Sequence, residues 1–252
     1  MKIAKAIISS LLILVAFPFT SFAEFPGFFQ RLQLGYSPVV FADAKYVIES
    51  NDQFFADIYG GSKIESTLKS KIGNGFYVGT YFPMKRLGRT SSLAFSIDFM
   101  YNSLEWESGK IKTSLGEFPL PPFKTTQLAL PFGVDFKFGA DALNVKNHRF
   151  CATVGLGAYP VYSMHEEIKA DKTTVNPAIG GGGYAKVEAG MLTGICWKVR
   201  ALAGFGLLNY QDLETKSPKT TSTIRGNANV VISVIVMPFA FTWKKYDWWN
   251  TY

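Results

Sequence analysis

Ser163, His165 and Glu166 combine the side-chain types and the close spacing that nucleophilic catalysis uses. A hydroxyl nucleophile needs a base to accept its proton, and that base is usually oriented by a carboxylate. An outer-membrane acyl hydrolase would place such a triad here, near the outer end of a strand. The same polar sequence also arises easily by chance in a loop, so we expect no catalytic role for these residues. The other histidine, His148, is interpreted as a solvated turn residue.

Metal binding by His165, Glu166 and Glu167 is disfavoured, because a second histidine at ligand spacing is missing. The sequence therefore predicts neither a metal site nor a cofactor. The quartet Gly180 to Gly183 lacks the lysine and hydroxyl context of a phosphate-binding loop, and no nucleotide function is inferred from it.

Cys151 and Cys196 are the two cysteines of the chain. An even number of cysteines in an exported protein is compatible with a disulfide. Cys151 lies near the start of one predicted strand and Cys196 near the end of the next, so both are expected at the periplasmic rim of a barrel, facing inward. A disulfide is the first interpretation, and two buried small residues without a bond are the alternative.

Charged residues recur on the side of the predicted strands that is not apolar. In an eight-stranded barrel the interior is just wide enough to be filled by side chains. We therefore predict a buried network of salt bridges rather than a solute path, with functional use of the charges as the alternative. The predicted lumen network consists of Arg31, Asp98, Asp135, Lys137, Lys186, Glu188 and Arg200.

Strict alternation of apolar residues is the pattern that positions these charges. Leu128 to Phe138 carries an apolar side chain at every second position, and Ser92 to Asn102 repeats the pattern. A period of two indicates strands, each showing one apolar face to lipid. The predicted strands are Phe28 to Val40, Gly73 to Phe82, Ser92 to Asn102, Thr125 to Gly139, Arg149 to Tyr162, Tyr184 to Cys196, Lys198 to Tyr210 and Gly226 to Trp243.

The predicted connections between these strands alternate in length. Phe41 to Ile72 and Ser163 to Gly183 are long, whereas Ala140 to His148 is short and Trp197 is a single residue. Bacterial outer-membrane barrels have short periplasmic turns and longer extracellular loops. The sequence thus predicts an all-β, eight-stranded antiparallel transmembrane up-and-down β-barrel. A soluble eight-stranded barrel of the lipocalin type is the alternative.

The first residues of the chain indicate export. Lys2 and Lys5 precede the apolar run Ala6 to Phe17, and small residues at Ser21 and Ala23 suit a signal peptidase. We predict that residues 1–23 are a cleaved signal peptide and that residues 24–252 are one barrel domain with a short periplasmic C-terminal tail. A retained membrane anchor is the alternative, but the run is shorter than the roughly 20 apolar residues that a spanning helix needs.

Three stretches carry a resemblance to known proteins: Leu128 to Gly139, Gly75 to Gly79 and Gly204 to Gly206. They resemble the eight-stranded outer-membrane barrels of Gram-negative bacteria, of the OmpA and OmpX type, and most closely the Bacteroidota barrels that include PorT-like proteins. The resemblance implies a role in the cell envelope, as an accessory of a secretion assembly. Many such barrels end at an aromatic residue of the last strand, whereas here Lys244 to Tyr252 continues past Trp243.

Composition and charge narrow the partners. The chain is 48% hydrophobic and 15% aromatic, and its formal net charge is +7. A mild basic excess without a dense Lys/Arg run in an exported chain disfavours nucleic acid and favours phosphate-bearing lipids. We expect outer-membrane lipids and another envelope protein as partners. The preferred function is a non-enzymatic structural or interaction barrel, and the alternatives are a lipid-modifying enzyme using His165 and a narrow channel or carrier of small apolar ligands.

Overall fold

A computed structural model describes residues 29–107, 110–113, 116–119, 123–143, 148–169, 172–206, 212–216 and 220–240. The predicted signal peptide and the predicted tail after Trp243 lie outside these residues. The strands are β1 (Gln33–Tyr36), β2 (Val39–Ser50), β3 (Lys63–Lys69), β4 (Asn74–Arg86), β5 (Ser91–Glu105), β6 (Lys110–Thr113), β7 (Gly116–Pro119), β8 (Phe123–Ala129), β9 (Phe132–Gly139), β10 (Phe150–Lys169), β11 (Lys172–Thr193), β12 (Ile195–Phe205), β13 (Asp212–Lys216) and β14 (Thr220–Met237). Two helices, α1 (Gln53–Tyr59) and α2 (Ala140–Leu143), lie between strands.

The strands form a closed antiparallel ring of eight barrel strands. Four positions in the ring are each occupied by two strand segments, and four by a single strand. In order around the ring, the positions are β1 and β2; β3 and β4; β5; β8 and β9; β10; β11; β12 and β13; and β14. The ring closes because β14 pairs with β1, where Leu34 opposes Val236, and with β2. Pro131 separates β8 from β9, as expected for a residue that has no N–H to donate to a sheet. β6 and β7 form a separate hairpin.

The two ends of the ring differ. At one end, the short-turn end, β4 is joined to β5 by residues 87–90, β9 to β10 by residues 140–149, and β11 to β12 by Gly194. Gly194 has a φ of 97°, a left-handed conformation that favours glycine. Phe29 and Phe239 also meet at this end, with their ring centroids 6.5 Å apart. The opposite end, the long-hairpin end, carries the outer halves of β2, β3, β10, β11 and β14.

The predicted ring of eight antiparallel strands is confirmed, but the predicted long loops are wrong in part. Most of Ser163 to Gly183 is strand, because β10 runs to Lys169 and β11 begins at Lys172. Phe41 to Ile72 contains most of β2, α1 and β3. Trp197, predicted as a turn, lies within β12. Once neighbouring strands are paired, continuing the ladder satisfies backbone N–H and C=O groups that a loop would leave to water.

α1 is a short capped helix at the long-hairpin end. The side chain of Asp52 accepts a hydrogen bond from the Phe54 N–H at 3.2 Å, and Gly60 ends the helix with a φ of 75°. In the described part of the chain, no helix is long and apolar enough to cross a membrane.

An apolar belt surrounds the half of the barrel nearer the short-turn end. Large apolar side chains point outward there, with 63% of Leu156 and 55% of Val199 exposed. The belt comprises Leu34, Tyr36, Phe76, Val78, Ile97, Tyr101, Phe132, Val134, Phe138, Phe150, Val154, Leu156, Val187, Met191, Trp197, Val199, Phe205 and Val234. Outward-facing charges begin only beyond it, at Glu105, Lys124 and Glu166. A continuous exposed apolar surface of this extent suits lipid and not water.

Candidate functional site

Charged side chains from four strands and one helix meet in the lumen inside the apolar belt. β5 supplies Asp98, β9 supplies Asp135 and Lys137, α2 supplies Asp141, β11 supplies Lys186 and Glu188, and β12 supplies Lys198 and Arg200. These eight residues, the lumen network, are each at most 5% exposed. The seven residues on strands face inward because side chains alternate along a strand, so their chain neighbours point outward, many of them into the belt. Four positive charges therefore face four negative charges.

Arg200 connects opposite walls of the barrel. Its Nε and NH2 groups donate to Glu188 Oε1 at 2.7 and 2.6 Å, and its NH1 group donates to Asp98 Oδ2 at 3.0 Å. Glu188 is its register partner on β11, whereas Asp98 comes from β5 on another wall. The guanidinium also lies 4.1 Å from the centre of the Tyr77 ring. Arginine suits this position because its planar group makes several directional hydrogen bonds at once.

Lys186 occupies the space between three carboxylates. Its Nζ lies 3.1 Å from Asp135, 3.5 Å from Asp98 and 3.8 Å from Glu188. Gly155 stands between Asp135 and Lys186 in the strand register. A Cβ at Gly155 would collide with the Asp135 carboxylate and the Lys186 side chain. The glycine thus leaves the space in which this ion pair forms.

Asp141 closes the network at the short-turn end. α2 folds back into the barrel, and the Asp141 carboxylate pairs with Lys198 and, at 3.1 Å, with Lys137. Tyr81 supports this arrangement, because its hydroxyl donates to the Asp141 backbone oxygen at 2.9 Å and its ring centre lies 3.9 Å from Lys137 Nζ. The lumen is therefore blocked by an inserted helix held by ion pairs.

An apolar layer fills the lumen on the other side of the network. Its fully buried side chains come from most strands of the ring, and Tyr159 and Tyr184 pack there edge to face with centroids 6.5 Å apart. Further members are Val39, Leu68, Met100, Leu104, Leu202, Ile224 and Val231.

The predicted lumen residues are all buried, and six of the seven lie in the lumen network. The seventh residue, Arg31, donates from its NH1 group to the Tyr81 backbone oxygen at 3.3 Å. Sequence reasoning missed Asp141 and Lys198. Lys198 lies two residues before Arg200 and therefore points to the same side of β12, so the alternation of side chains could have identified it. Asp141 follows the end of β9, where this alternation no longer applies.

The two cysteines meet across an intervening strand. Their sulfur atoms lie 3.8 Å apart as free thiols, both buried at the short-turn end. Cys151 is on β10 and Cys196 on β12, so β11 lies between them. Gly190 of β11 opposes Cys151, and a Cβ there would lie 2.9 Å from the Cys151 sulfur. The missing side chain of Gly190 allows the thiols to approach, and a disulfide stays a prediction.

Ser163 and His165 face the lumen above the belt, whereas Glu166 is on the opposite face of β10 and opposes Lys124. The nearest partner of His165 Nδ1 is Thr125 Oγ1 at 2.9 Å, and Thr125 also accepts a hydrogen bond from Trp106. Ser163 Oγ has no hydrogen-bond partner among the described residues. Burial lowers the pKa of His165 to about 4, so the ring is neutral at physiological pH. The three residues do not form a triad.

No family model and no curated protein matches the chain. Solved structures with a similar fold include three outer-membrane proteins. The outer-membrane protease OmpT of Escherichia coli is 7% identical, with a TM-score of 0.43, over 82% of this chain and 96% of that one. The outer-membrane protein OprG of Pseudomonas aeruginosa is 9% identical, with a TM-score of 0.36, over 82% and 97%. Ail, the attachment invasion locus protein of Yersinia pestis, is 7% identical, with a TM-score of 0.31, over 81% and 99%.

These likenesses are too remote to indicate what the chain does. Every charged group of the lumen network lies within 4 Å of an opposite charge. A general acid or base needs access to substrate, and these groups are sealed between α2 and the apolar layer. The arrangement suits holding the walls of the barrel together.

Proposed function

We propose that the chain is a filled outer-membrane β-barrel with a non-catalytic structural or interaction role in the cell envelope. The observation that carries the proposal is the lumen network inside the apolar belt. Charges that are buried and paired behind a wall of lipid-facing side chains fill the interior of a closed barrel and leave no aqueous path. The membrane setting follows from the belt, and the outer membrane is the bilayer in which exported barrels of this kind reside.

A conductance measurement tests the closed lumen. The purified protein is inserted into planar bilayers, and insertion is verified in the same lipid by resistance of the barrel to added protease. We expect no stable unitary current, because α2 and the apolar layer block the lumen at two levels. Reproducible unitary currents from inserted protein would contradict the proposal and favour a channel.

The proposal of a non-enzymatic role is supported by the position of His165. Its ring is buried, Ser163 makes no hydrogen bond to it, and Glu166 faces away. Lipid A mass spectra from cells carrying His165→Ala should therefore match those from cells carrying the unaltered protein. A spectrum that changes only in the variant would restore the enzyme hypothesis.

In an interaction role, the barrel would contact its partner at the long-hairpin end or at the periplasmic, short-turn end. The PorT-like resemblance makes a secretion assembly the first partner to test. Cross-linking in native membranes, followed by purification of the barrel, should recover the same envelope protein repeatedly. Recovery of the barrel alone, at cross-linker levels that capture a known envelope complex, would count against a stable partner.

A further inference from the structure

Exposed charges are distributed unevenly between the two ends of the barrel. At the long-hairpin end acids and bases are mixed and form ion pairs, such as Lys63 with Glu65 at 2.9 Å and Lys110 with Glu117 at 3.1 Å. At the short-turn end the exposed charges of the described residues are all positive. They are Lys85, Arg86, Arg89 and Arg149, which we call the basic collar. The acids near this end, Asp135 and Asp141, are buried in the lumen network.

The fold brings the collar to one stretch of the rim. Lys85 and Arg86 end β4, and Arg89 lies in the β4–β5 turn. The Thr90 backbone oxygen of that turn accepts a hydrogen bond from the Gly139 N–H at 2.9 Å. Gly139 in turn opposes Cys151, two residues after Arg149. None of the four collar side chains forms an ion pair with another described residue, so their charges are available.

A β-bulge aims Lys85 away from the lumen. The register of β4 against β5 shifts between Pro83 and Lys85, so that Pro83 opposes the buried Ala94 and Lys85 opposes the outward-facing Leu93. Without the extra residue of the bulge, the side chain of Lys85 would point into the lumen, on the same side of β4 as Pro83. The bulge also exposes 60% of Met84.

Apolar side chains lie among the collar cations. Met84 and Leu87 are exposed beside Lys85 and Arg86, and Phe150, which is 72% exposed, follows Arg149. Phe150 also belongs to the apolar belt. A cation next to the edge of a lipid-facing surface lies at the depth of the head groups, where long basic side chains reach phosphate.

We propose that the basic collar binds the phosphate groups of anionic phospholipids in the leaflet at the short-turn end. This inference rests on the proposed membrane barrel. Charge complementarity favours lipid over a protein partner, because the cations and the apolar side chains alternate along the edge of the belt. Arginine and lysine donors bind phosphate oxygens directly, and among the described residues at this end no exposed acid competes for them.

Lipid selectivity in neutral detergent tests the collar. The purified protein is titrated with phosphatidylglycerol or phosphatidylcholine, and bound lipids are counted by native mass spectrometry. We expect phosphatidylglycerol to bind roughly tenfold more tightly, since each cation near an anionic surface adds a favourable increment. The collar variant Lys85→Gln, Arg86→Gln, Arg89→Gln and Arg149→Gln should bind both lipids equally.

A matched variant controls for net charge. Lys63→Gln, Lys69→Gln, Lys71→Gln and Lys110→Gln remove the same number of exposed cations at the long-hairpin end and should keep the preference. Equal binding of both lipids by the unaltered protein, equal loss in both variants, or binding of inorganic phosphate without lipid preference would each overturn the inference. Protein that enters vesicles without lipid preference contradicts only the collar, whereas protein that does not enter vesicles contradicts the membrane barrel itself.

Discussion

Arg200 joins the β11–β12 wall to β5 through Glu188 and Asp98, and Lys186 adds a second, longer contact to Asp98. Arg200→Ala would leave two carboxylates buried near each other without this partner. Removing one member of a buried ion pair typically costs about 3 to 5 kcal/mol. We expect a loss of this size in the free energy of unfolding, measured by urea titration in lipid vesicles.

Lys63 provides the comparison for Arg200. It pairs with Glu65 at 2.9 Å, but about half of its side chain is exposed, with a relative accessibility of 50%. Solvent and salt screen exposed ion pairs, so this pair contributes little, and Lys63→Ala should unfold almost as the unaltered protein does. Equal losses in the two variants would show that the lumen network does not stabilise the barrel.

His165 gives the stability of the barrel a dependence on pH. Burial lowers its pKa from the ordinary 6.5 to about 4, so the folded protein holds the ring neutral while the unfolded chain takes up a proton below about pH 6.5. The stabilising contribution of the neutral ring is complete above pH 6.5 and falls as the pH drops toward 4. The loss reaches about 2 to 3 kcal/mol across this window.

The difference between the unaltered protein and His165→Gln isolates this contribution, because the other titrating groups are shared. Urea titrations from about pH 7.5 to about pH 4.5 give the free energy of unfolding of both proteins. As the pH falls, this free energy should decrease more for the unaltered protein than for the variant. A difference that stays constant with pH would mean that the ring is accessible to protons in the folded barrel.

The alternation of side chains along a strand determines which buried residues could be predicted from the sequence. Asp98, Lys186 and Arg200 stand within alternating strands, where one position in two must face inward, so their burial follows from pattern alone. Asp141 does not, because its place depends on α2 folding back into the lumen. The direction of this turn depends on the residues that contact it. Lys137 is close in sequence, but Lys198 is 57 residues away from Asp141, beyond the reach of a local pattern.

Three consecutive strands, β10, β11 and β12, determine how closely the two cysteines approach each other. Cys151 and Cys196 lie on the outer two, and Gly190 on the middle one leaves room between them. We expect protein from an oxidising compartment to carry a disulfide that joins β10 to β12, since the sulfur atoms are already 3.8 Å apart. Alkylation of denatured protein followed by mass measurement should modify neither thiol before reduction and both after it.

Alkylation of both thiols without reductant would contradict the bridge. Gly190→Ala offers a second test, because the added methyl group meets the Cys151 sulfur and should lower the yield of the bond. Gly194→Ala, in the adjacent turn, is the control. Its added methyl group would meet no atom within 4 Å, so it strains the backbone at a φ of 97° without crowding the cysteines, and it should leave the yield of the disulfide unchanged.

Strand lengths show what local pattern leaves undetermined at the element scale. Outer halves such as Lys172 to Gly183 lack lipid on one side, so their sequences lose the alternation that marks the belt and were predicted as loops. Hydrogen bonding to an already ordered neighbour keeps them in the sheet. The number of strands could therefore be predicted from the sequence, and the lengths of several could not.

At the scale of the whole molecule, the belt determines where a charge is tolerated. Leu156 is 63% exposed in the middle of the belt, so Leu156→Arg should destabilise the barrel in vesicles by about 2 to 4 kcal/mol. The matched Thr67→Arg, exposed above the belt on β3, should leave the unfolding curve almost unchanged. If Leu156→Arg were neutral or more soluble without detergent, the surface would face water and the barrel would be a soluble one.

The pairing of β14 with β1 and β2 has a consequence for the order of folding. Leu34 and Val236 come from opposite ends of the described chain, and the ring has two open edges until they meet. Most backbone groups on those edges have no partner inside a bilayer, so a partly synthesised or truncated barrel is an aggregation-prone species rather than a smaller stable one. The ring can therefore close only when β14 is present to pair with β1 and β2.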